Sequence, residues 1–417
     1  MATLRRSAMR RVGRLWLAAT LCSAAPAAGD GFMAPRLRPV GQSKPMVVSP
    51  RQEAVLATDG QTVQVVLRTH FRAGPKELAW VVPVPAKPLR VEKCQAGIFS
   101  DLDRATAPRF YWLDSASGIG HFDCGCAAMA PSGRAPIAGA VTVEASGTAG
   151  IFQYVVLSAR RADELTRWLN DNKYFVPIGS ERIFKRYVEA GWHWLAMRVR
   201  PEQADKGTLA PHPIVYTYRD TRLVYPLVIS RLSADLTNEI VLYVVARQRY
   251  ACANWSNATI DRAKVRRDAA TPSGTNYERL FEDLCRSRRW RVFVTEASML
   301  VRVFGEVANR GLLDGVKDPD LARALGSQQT LTRLRAVMTP QAMDRDVDLL
   351  PAPSWGRVSN TFEVSAAAAP RPALATAWPL AAFAVLSAGV GLTGRSGWAR
   401  RAGGVCVILS CAAFVLM

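Results

Sequence analysis

The one local cluster of soft-ligand side chains is His121-x-x-Cys124-x-Cys126. Thiolate and imidazole suit copper or zinc, and a Gly between two Cys lets both sulfurs turn inward. Zinc sites, however, commonly use CxxC spacing and four ligands, and only three are local here. The same two Cys suit disulfide bonding in an oxidising compartment, most simply with Cys94. That reading is preferred to a metal. Cys252 and Cys285 form the other natural pair, and closing so long a loop would stabilise by about 3–4 kcal/mol in the chain-entropy picture. Of the eight Cys, Cys22, Cys406 and Cys411 lie in apolar terminal stretches. The remainder is odd, so one body thiol is left over.

The four His are His70, His121, His193 and His212. None belongs to an HExxH pattern, which argues against a helical zinc protease. His193 lies between Trp192 and Trp194 on an expected strand. It reads as a half-exposed strand residue, with a base in a cleft as the competing role. GxSxG, GxxxxGK[ST] and a helix-opening GxGxxG are all missing. Gly147-Thr-Ala-Gly150 has no Lys and reads as a turn between strands. Asp101 and Asp103 are two apart, so on a helix they point to different sides and do not share acid–base work. No catalytic residue and no cofactor is expected.

Arg286, Arg288, Arg289 and Arg291, with Trp290 among them, form the densest basic patch. Such a patch suits phosphate, a lipid headgroup or a glycan. The preferred reading is more modest: cations gather at helix C-termini, where they satisfy the last carbonyls. The whole chain carries a formal net charge of +20. That favours anionic partners such as lipid or envelope polymer, although the charges are spread rather than blocked, as on a solvated basic surface.

Hydropathy then places these residues on elements. Around 53–109 come three apolar runs of strand length, separated by Asp59-Gly60 and Ala73-Gly74-Pro75. The run 78–84 is continuously apolar and reads as central. Pro83 and Pro85 weaken its end, because neither donates a ladder hydrogen bond. A helix is expected over 100–107, stopped by Pro108. Residues 111–139 read as loop. Strands are expected at 141–145 and 151–157, flanking Ser146-Gly147. An amphipathic helix at 162–170 puts Leu165, Trp168 and Leu169 on one face. Further strands are expected at 192–200, 213–218, 223–230, 239–249 and 291–295. Residues 258–276 read as a surface loop, and helices are expected at 277–286 and 329–338.

The ends read differently. Residues 1–29 carry an Arg-rich start, an apolar run and small residues, the pattern of a cleaved secretory signal. Residues 30–50 are Pro-rich and irregular. An Ala/Pro linker at 366–372 leads to 373–393, a run of 21 residues without a charge, and about 20 such residues cross a ~30 Å hydrocarbon core. Arg395, Arg400 and Arg401 follow, then a second apolar segment at 402–417. With the signal cleaved, those Arg fall on the cytoplasmic side. A C-terminal membrane hairpin with the body on the periplasmic side is therefore expected. Nucleic acid is disfavoured as a partner because that compartment is wrong for it.

Several pieces occur in a telling order. They are Gln52-Glu53-Ala54-Val55, Asp59-Gly60, Trp80-Val81-Val82-Pro83-Val84-Pro85, and Leu102-Asp103 leading to Ala107-Pro108-Arg109. Val155-Val156-Leu157-Ser158, Gly191-Trp192, Val224-Tyr225-Pro226-Leu227 and Val241-Leu242-Tyr243 continue the series. Together they resemble the bacterial domain-of-unknown-function 2330 family. The resemblance implies an extracytoplasmic bacterial protein. It implies no activity, and no catalytic residue is carried over from it.

The fold expected is α+β, mainly antiparallel sheet with a few packed helices, plus the C-terminal transmembrane hairpin. Its parts are a signal at 1–29, a strand-rich core at 30–250, a helix-containing second part at 251–365, a linker at 366–372 and a hairpin at 373–417. The function expected first is a binding or scaffolding module of the envelope that meets an envelope protein or an anionic polymer. The alternatives are a hydrolase-like enzyme with a site assembled from distant residues, or a metal or thiol site at His121, Cys124 and Cys126.

Overall fold

A computed structural model of the chain describes residues 32–35, 51–68, 78–112, 141–172, 174, 176–199, 212–234, 236–302 and 328–364. The signal segment, His70, the His121/Cys124/Cys126 cluster and both expected membrane segments lie outside the described residues. Among the described residues no helix is long and apolar enough to cross a membrane.

Two sheets carry the fold. The first has five strands in the order β1 (Phe32–Pro35), β4 (Leu78–Val84), β9 (His193–Val199), β8 (Phe152–Ala159), β7 (Val141–Ala149). The second has eight, in the order β14 (Ser256–Ala258), β15 (Val292–Arg302), β16 (Gln328–Met338), β12 (Asn238–Ala246), β2 (Arg51–Thr58), β3 (Thr62–Arg68), β10 (Ile214–Arg219), β5 (Arg90–Lys93). A smaller sheet joins β11 (Leu223–Tyr225), β17 (Val347–Pro351) and β13 (Tyr250–Cys252), and β18 (Thr361–Val364) pairs with β6 (Arg109–Trp112). Among the described residues four helices pack on these sheets: α1 (Ile98–Thr106), α2 (Ala162–Asp171), α3 (Ser180–Glu189) and α4 (Tyr277–Ser287). The α+β expectation holds, with sheet predominating. Most pairings are antiparallel, but β12 runs parallel to β2, β14 to β15 and β18 to β6.

The period-2 pattern explains the layers. On β2, Ala54 and Leu56 enter a core shared with Trp80, Val82 and Leu195 of the first sheet. Val55 and Ala57 point the other way, onto Phe99 and Leu102 of α1. The outer face of the first sheet is covered by Leu165 and Leu169 of α2 and by Phe184 and Tyr187 of α3. At the far end of the second sheet, Phe281 of α4 packs with Val292, Val294 and Phe362. The central strands, such as β2, β3 and β12, are thus buried on both faces, which is why they read as nearly continuous apolar runs.

The Asp59-Gly60 turn forms as expected. Asp59 Oδ1 accepts from the N–H groups of Gln61 (2.8 Å) and Thr62 (2.7 Å), and Gly60 takes φ +94°. β4 has a neighbour on each side, yet β1 accompanies it only as far as Val81. Pro83 lies beyond that ladder, in keeping with its missing N–H.

Several expectations are corrected. Residues 329–338 are not a helix but lie within β16, between β15 and β12. The turn expected over Gly147-Thr-Ala-Gly150 is confined to its last residue: β7 runs on through Ser146-Gly147 to Ala149, and the reversal comes at Gly150, φ +59°. A Cβ on Gly147 would lie 2.7 Å from Tyr154 Oη, so this glycine leaves room for the ring across the ladder. The strand expected at 223–230 stops at Tyr225, and that expected from 291 to 295 extends to Arg302. Helix α3 was not anticipated. The second sheet takes strands from both sides of residue 250, the boundary expected between the two parts of the body.

Candidate functional site

Alternation along the second sheet brings a set of charges to its helix-covered face. The carboxylates are Glu53, Glu239, Glu296, Asp103 and Glu278, and the cations are Arg51, Arg68, Arg333 and Arg335. Arg333 is 4% exposed and Glu296 fully buried, with Nε to Oε2 at 2.7 Å. Nη1 of Arg333 reaches Asp103 of α1 at 2.7 Å and the Tyr243 hydroxyl at 3.1 Å. Next along the strand, Arg335 binds Glu239 at 2.6 Å, Glu296 at 3.2 Å and Glu278 of α4 at 2.9 Å. Glu53 is bound by Arg51 at 2.9 Å and by Arg68. The Arg335 guanidinium also lies over Phe281, 4.2 Å from its centroid.

A buried charge is tolerated only when paired and hydrogen-bonded, and here the pairing is mutual. Burial alone would lower the pKa of Arg333, but Tyr243, Glu296 and Asp103 outweigh it and raise it. Burial first and Glu296 second push Tyr277 upward, so its hydroxyl keeps its proton and donates to Glu296 at 3.0 Å. The network fastens α1 and α4 to the sheet. It is internal scaffolding, and on α4 it holds the first turn, through Tyr277 and Glu278.

The C-terminal end of α4 carries the basic patch. The N–H of Trp290 returns to Cys285 O (2.8 Å) and that of Arg289 to Arg286 O (3.0 Å). This is the helix-closing turn whose first residue beyond the cap is left-handed and commonly Gly. Helix α3 closes in the same way with a glycine there: Gly191 has φ +73°, with Trp192 N to Tyr187 O at 2.9 Å. In α4 the position holds Arg289, φ +54°, and Trp290 follows at +61°. A left-handed conformation costs a non-glycine residue about 1 kcal/mol or more. Trp290 packs against two core clusters and so pins the turn. Arg288 and Arg289 are exposed and, among the described residues, pair with no carboxylate. Arg286 pairs with Asp283 at 2.9 Å, while Arg291 (2.6 Å) and Arg345 (3.0 Å) share Asp344. Burial alone would raise Asp344, but the hydrogen bonds from Arg345 and Arg291 hold it below the usual aspartate range. The surface therefore keeps an excess of cation on a rigid turn.

The remaining sequence candidates are placed as follows. Cys94, Cys252 and Cys285 are buried free thiols. The expected Cys252–Cys285 disulfide is therefore not formed. Strand β15 shows why: Phe293 joins the cluster of Cys252, whereas Val292 and Val294 join that of Cys285, so the sheet stands between the sulfurs. Burial pushes Cys94 up to about 12 and raises Cys252 and Cys285 as well. His121, Cys124 and Cys126 lie outside the described residues, and among those described no group of His, Cys, Asp and Glu is arranged to hold a metal.

His193 sits near a corner that the sequence did not flag. Glu144, at a register shift in β7, accepts from Lys87 Nζ and Ser158 Oγ, each at 2.9 Å. The Lys87 hydrogen bond, then that of Ser158, lowers the Glu144 pKa. His193 is lowered by burial, partly offset by Glu144, and its Nδ1 is buried without a hydrogen-bond partner. Ser158 thus donates to a carboxylate rather than to a ring nitrogen. His212 is structural: Nε2 accepts from Ile151 N at 2.9 Å and Nδ1 lies 2.9 Å from Pro213 O.

A family model described as an uncharacterized protein conserved in bacteria (DUF2330) matches residues 25–302. The chain belongs to this family. The match takes in the first sheet, β2 to β15 and the basic turn, while the DUF2330 match ends before Arg333, Arg335 and Trp355. The sequence matches no curated protein. Among solved structures, "Crystal structure of baculovirus P35" aligns with a TM-score of 0.30 and 10% identity, over 73% of this chain and 98% of that one. At that score the likeness carries no argument.

Proposed function

We propose that this DUF2330 protein is a binding or scaffolding module of the bacterial envelope that meets an anionic polymer through the turn at 286–291. In this reading residues 373–417 hold it to the membrane and its body lies on the extracytoplasmic side. The observation that carries the proposal is Arg289 in a left-handed position that α3 fills with Gly191. Strain of this kind persists where function requires the side chain. The turn that presents the arginine is pinned by Trp290 to two core clusters, so little backbone ordering entropy is lost on binding.

Inorganic polyphosphate is the probe for an anionic chain. The full-length protein should bind it at low salt and release it as salt screens the contact. Arg288→Gln with Arg289→Gln should weaken binding about 10- to 30-fold, taking ~1 kcal/mol per surface arginine. Equal binding by the double variant would refute the assignment. Vesicles containing phosphatidylglycerol form a second arm, and preference for them would move the partner from polymer to lipid surface.

One observation favours an enzymatic reading instead: the Lys87–Glu144–Ser158 corner beside His193. Ester hydrolysis lost in Ser158→Ala would support it, and hydrolysis unchanged in that variant would remove it.

A further inference from the structure

Arg249 is buried at 7% exposure, and no carboxylate among the described residues pairs with it. The other buried arginine among the described residues, Arg333, has one. Nη1 of Arg249 donates to the carbonyl oxygens of Trp355 (2.6 Å) and Gly356 (2.9 Å), and Nη2 to Thr295 Oγ1 at 3.3 Å. Its Nε is buried without any partner. One edge of the guanidinium is therefore committed to backbone. The other, the Nε–Nη2 fork that binds oxyanions side-on with two parallel hydrogen bonds, holds a single long contact to a hydroxyl.

The cover over this cation is a strap. Ala352 N bonds to Arg249 O at 2.8 Å at one end, and Val358 exchanges backbone hydrogen bonds with Ser298 at the other. Between these pins the chain makes the short 3-10 turn Pro353–Trp355 and reverses at Gly356, φ +63°. The indole of Trp355 lies over the guanidinium, 5.4 Å from ring centroid to Cζ, and is itself 51% exposed. A large aromatic held half in solvent above a buried, uncompensated charge is an arrangement stability alone does not favour. Burial lowers the Arg249 pKa with no opposing charge to offset it.

We infer that Arg249, Thr295 and Trp355 form a second site, distinct from the basic turn, which takes a small oxyanion on the free guanidinium fork. Trp355 is its lid. The anion supplies the missing counter-charge, Thr295 adds a hydroxyl donor, and the indole swings aside. Carboxylate and phosphate share this chemistry, so both are the probes.

The test is a thermal-shift and calorimetric titration of the full-length protein with acetate and with inorganic phosphate, each against chloride at matched ionic strength. At least one oxyanion should give a saturable upward shift that chloride does not. The oxyanion that saturates at the lower concentration names the ligand class. Arg249→Gln should lose the shift, whereas Arg288→Gln with Arg289→Gln should keep it, which separates this site from the turn. Trp355→Ala leaves Arg249 and both backbone carbonyls in place. It should tighten apparent binding several-fold, because the competent state no longer has to be opened. No oxyanion-specific shift in the wild type, or the same shift in Arg249→Gln, overturns the site. Should Arg249→Gln not fold, an unchanged affinity in Trp355→Ala overturns the lid and with it the proposal.

Discussion

Arg333 Nη1 lies 2.7 Å from Asp103 Oδ1, although 230 residues separate them in sequence. The contact ties α1 to a strand that enters the sheet near its last turn of chain. The same guanidinium holds Glu296 on the neighbouring strand at 2.7 Å. One side chain thus joins a helix from the start of the body to two strands from its end.

Removing that side chain leaves the buried Glu296 with Arg335 alone at 3.2 Å and Asp103 with only Arg51 at 4.0 Å. Arg333→Met should cost about 3–5 kcal/mol, the range for breaking one partner out of a buried ion pair. Asp103 is about half exposed, so Asp103→Asn should cost only about 1 kcal/mol or less. Denaturant titration of the two variants checks the ranking. A cost for Arg333→Met no larger than that for Asp103→Asn would show that the network adds little to docking α1.

Acid should act on the same network through Glu239. Burial alone would raise its pKa, but Arg335 and Arg51 outweigh burial and hold it below the usual glutamate range. A carboxylate depressed in the folded state contributes stability that is fully present above the unfolded pKa. That stability is lost as pH falls through the folded value. Stability measured downward from pH 5 should therefore decline less steeply in Glu239→Gln than in the wild type, although the variant is less stable at pH 7. Parallel profiles would assign the acid sensitivity to other groups.

The cysteines give a simple chemical check. Cys252 and Cys285 are buried free thiols raised by burial, and the thiolate is the reactive form. Neither should alkylate in the native protein under non-reducing conditions, and both should alkylate once guanidinium unfolds it. Peptide mapping that instead finds them linked to each other would contradict the separation imposed by the sheet.

What was legible in the sequence follows from local chemistry. Asp59-Gly60 announces its turn because only such residues satisfy it, and Leu165 with Leu169 announces α2 by spacing. Helix α3 carried a comparable signal in Phe184, Tyr187 and Val188 between Gly179 and Gly191. β16 reads as a helix in the sequence because Arg333 and Arg335 look like an exposed helical face. Their burial depends on Glu296 and Glu239, which lie on other strands. The Cys252–Cys285 pairing failed for a related reason: sequence separation does not say on which side of a sheet a thiol sits. The patch at 286–291 was visible as charge. Its left-handed backbone was not, because Arg289 hides the glycine signature of the helix-closing turn.

That last point makes Arg289→Gly the most direct measurement. Glycine relieves the left-handed strain, so the variant should be as stable as the wild type or gain up to about 1 kcal/mol. It should also bind polyphosphate several-fold more weakly at low salt. Stability held or raised while binding falls is the result predicted for an arginine kept at that turn for a ligand. Unchanged binding, or a fall in stability, would contradict the account.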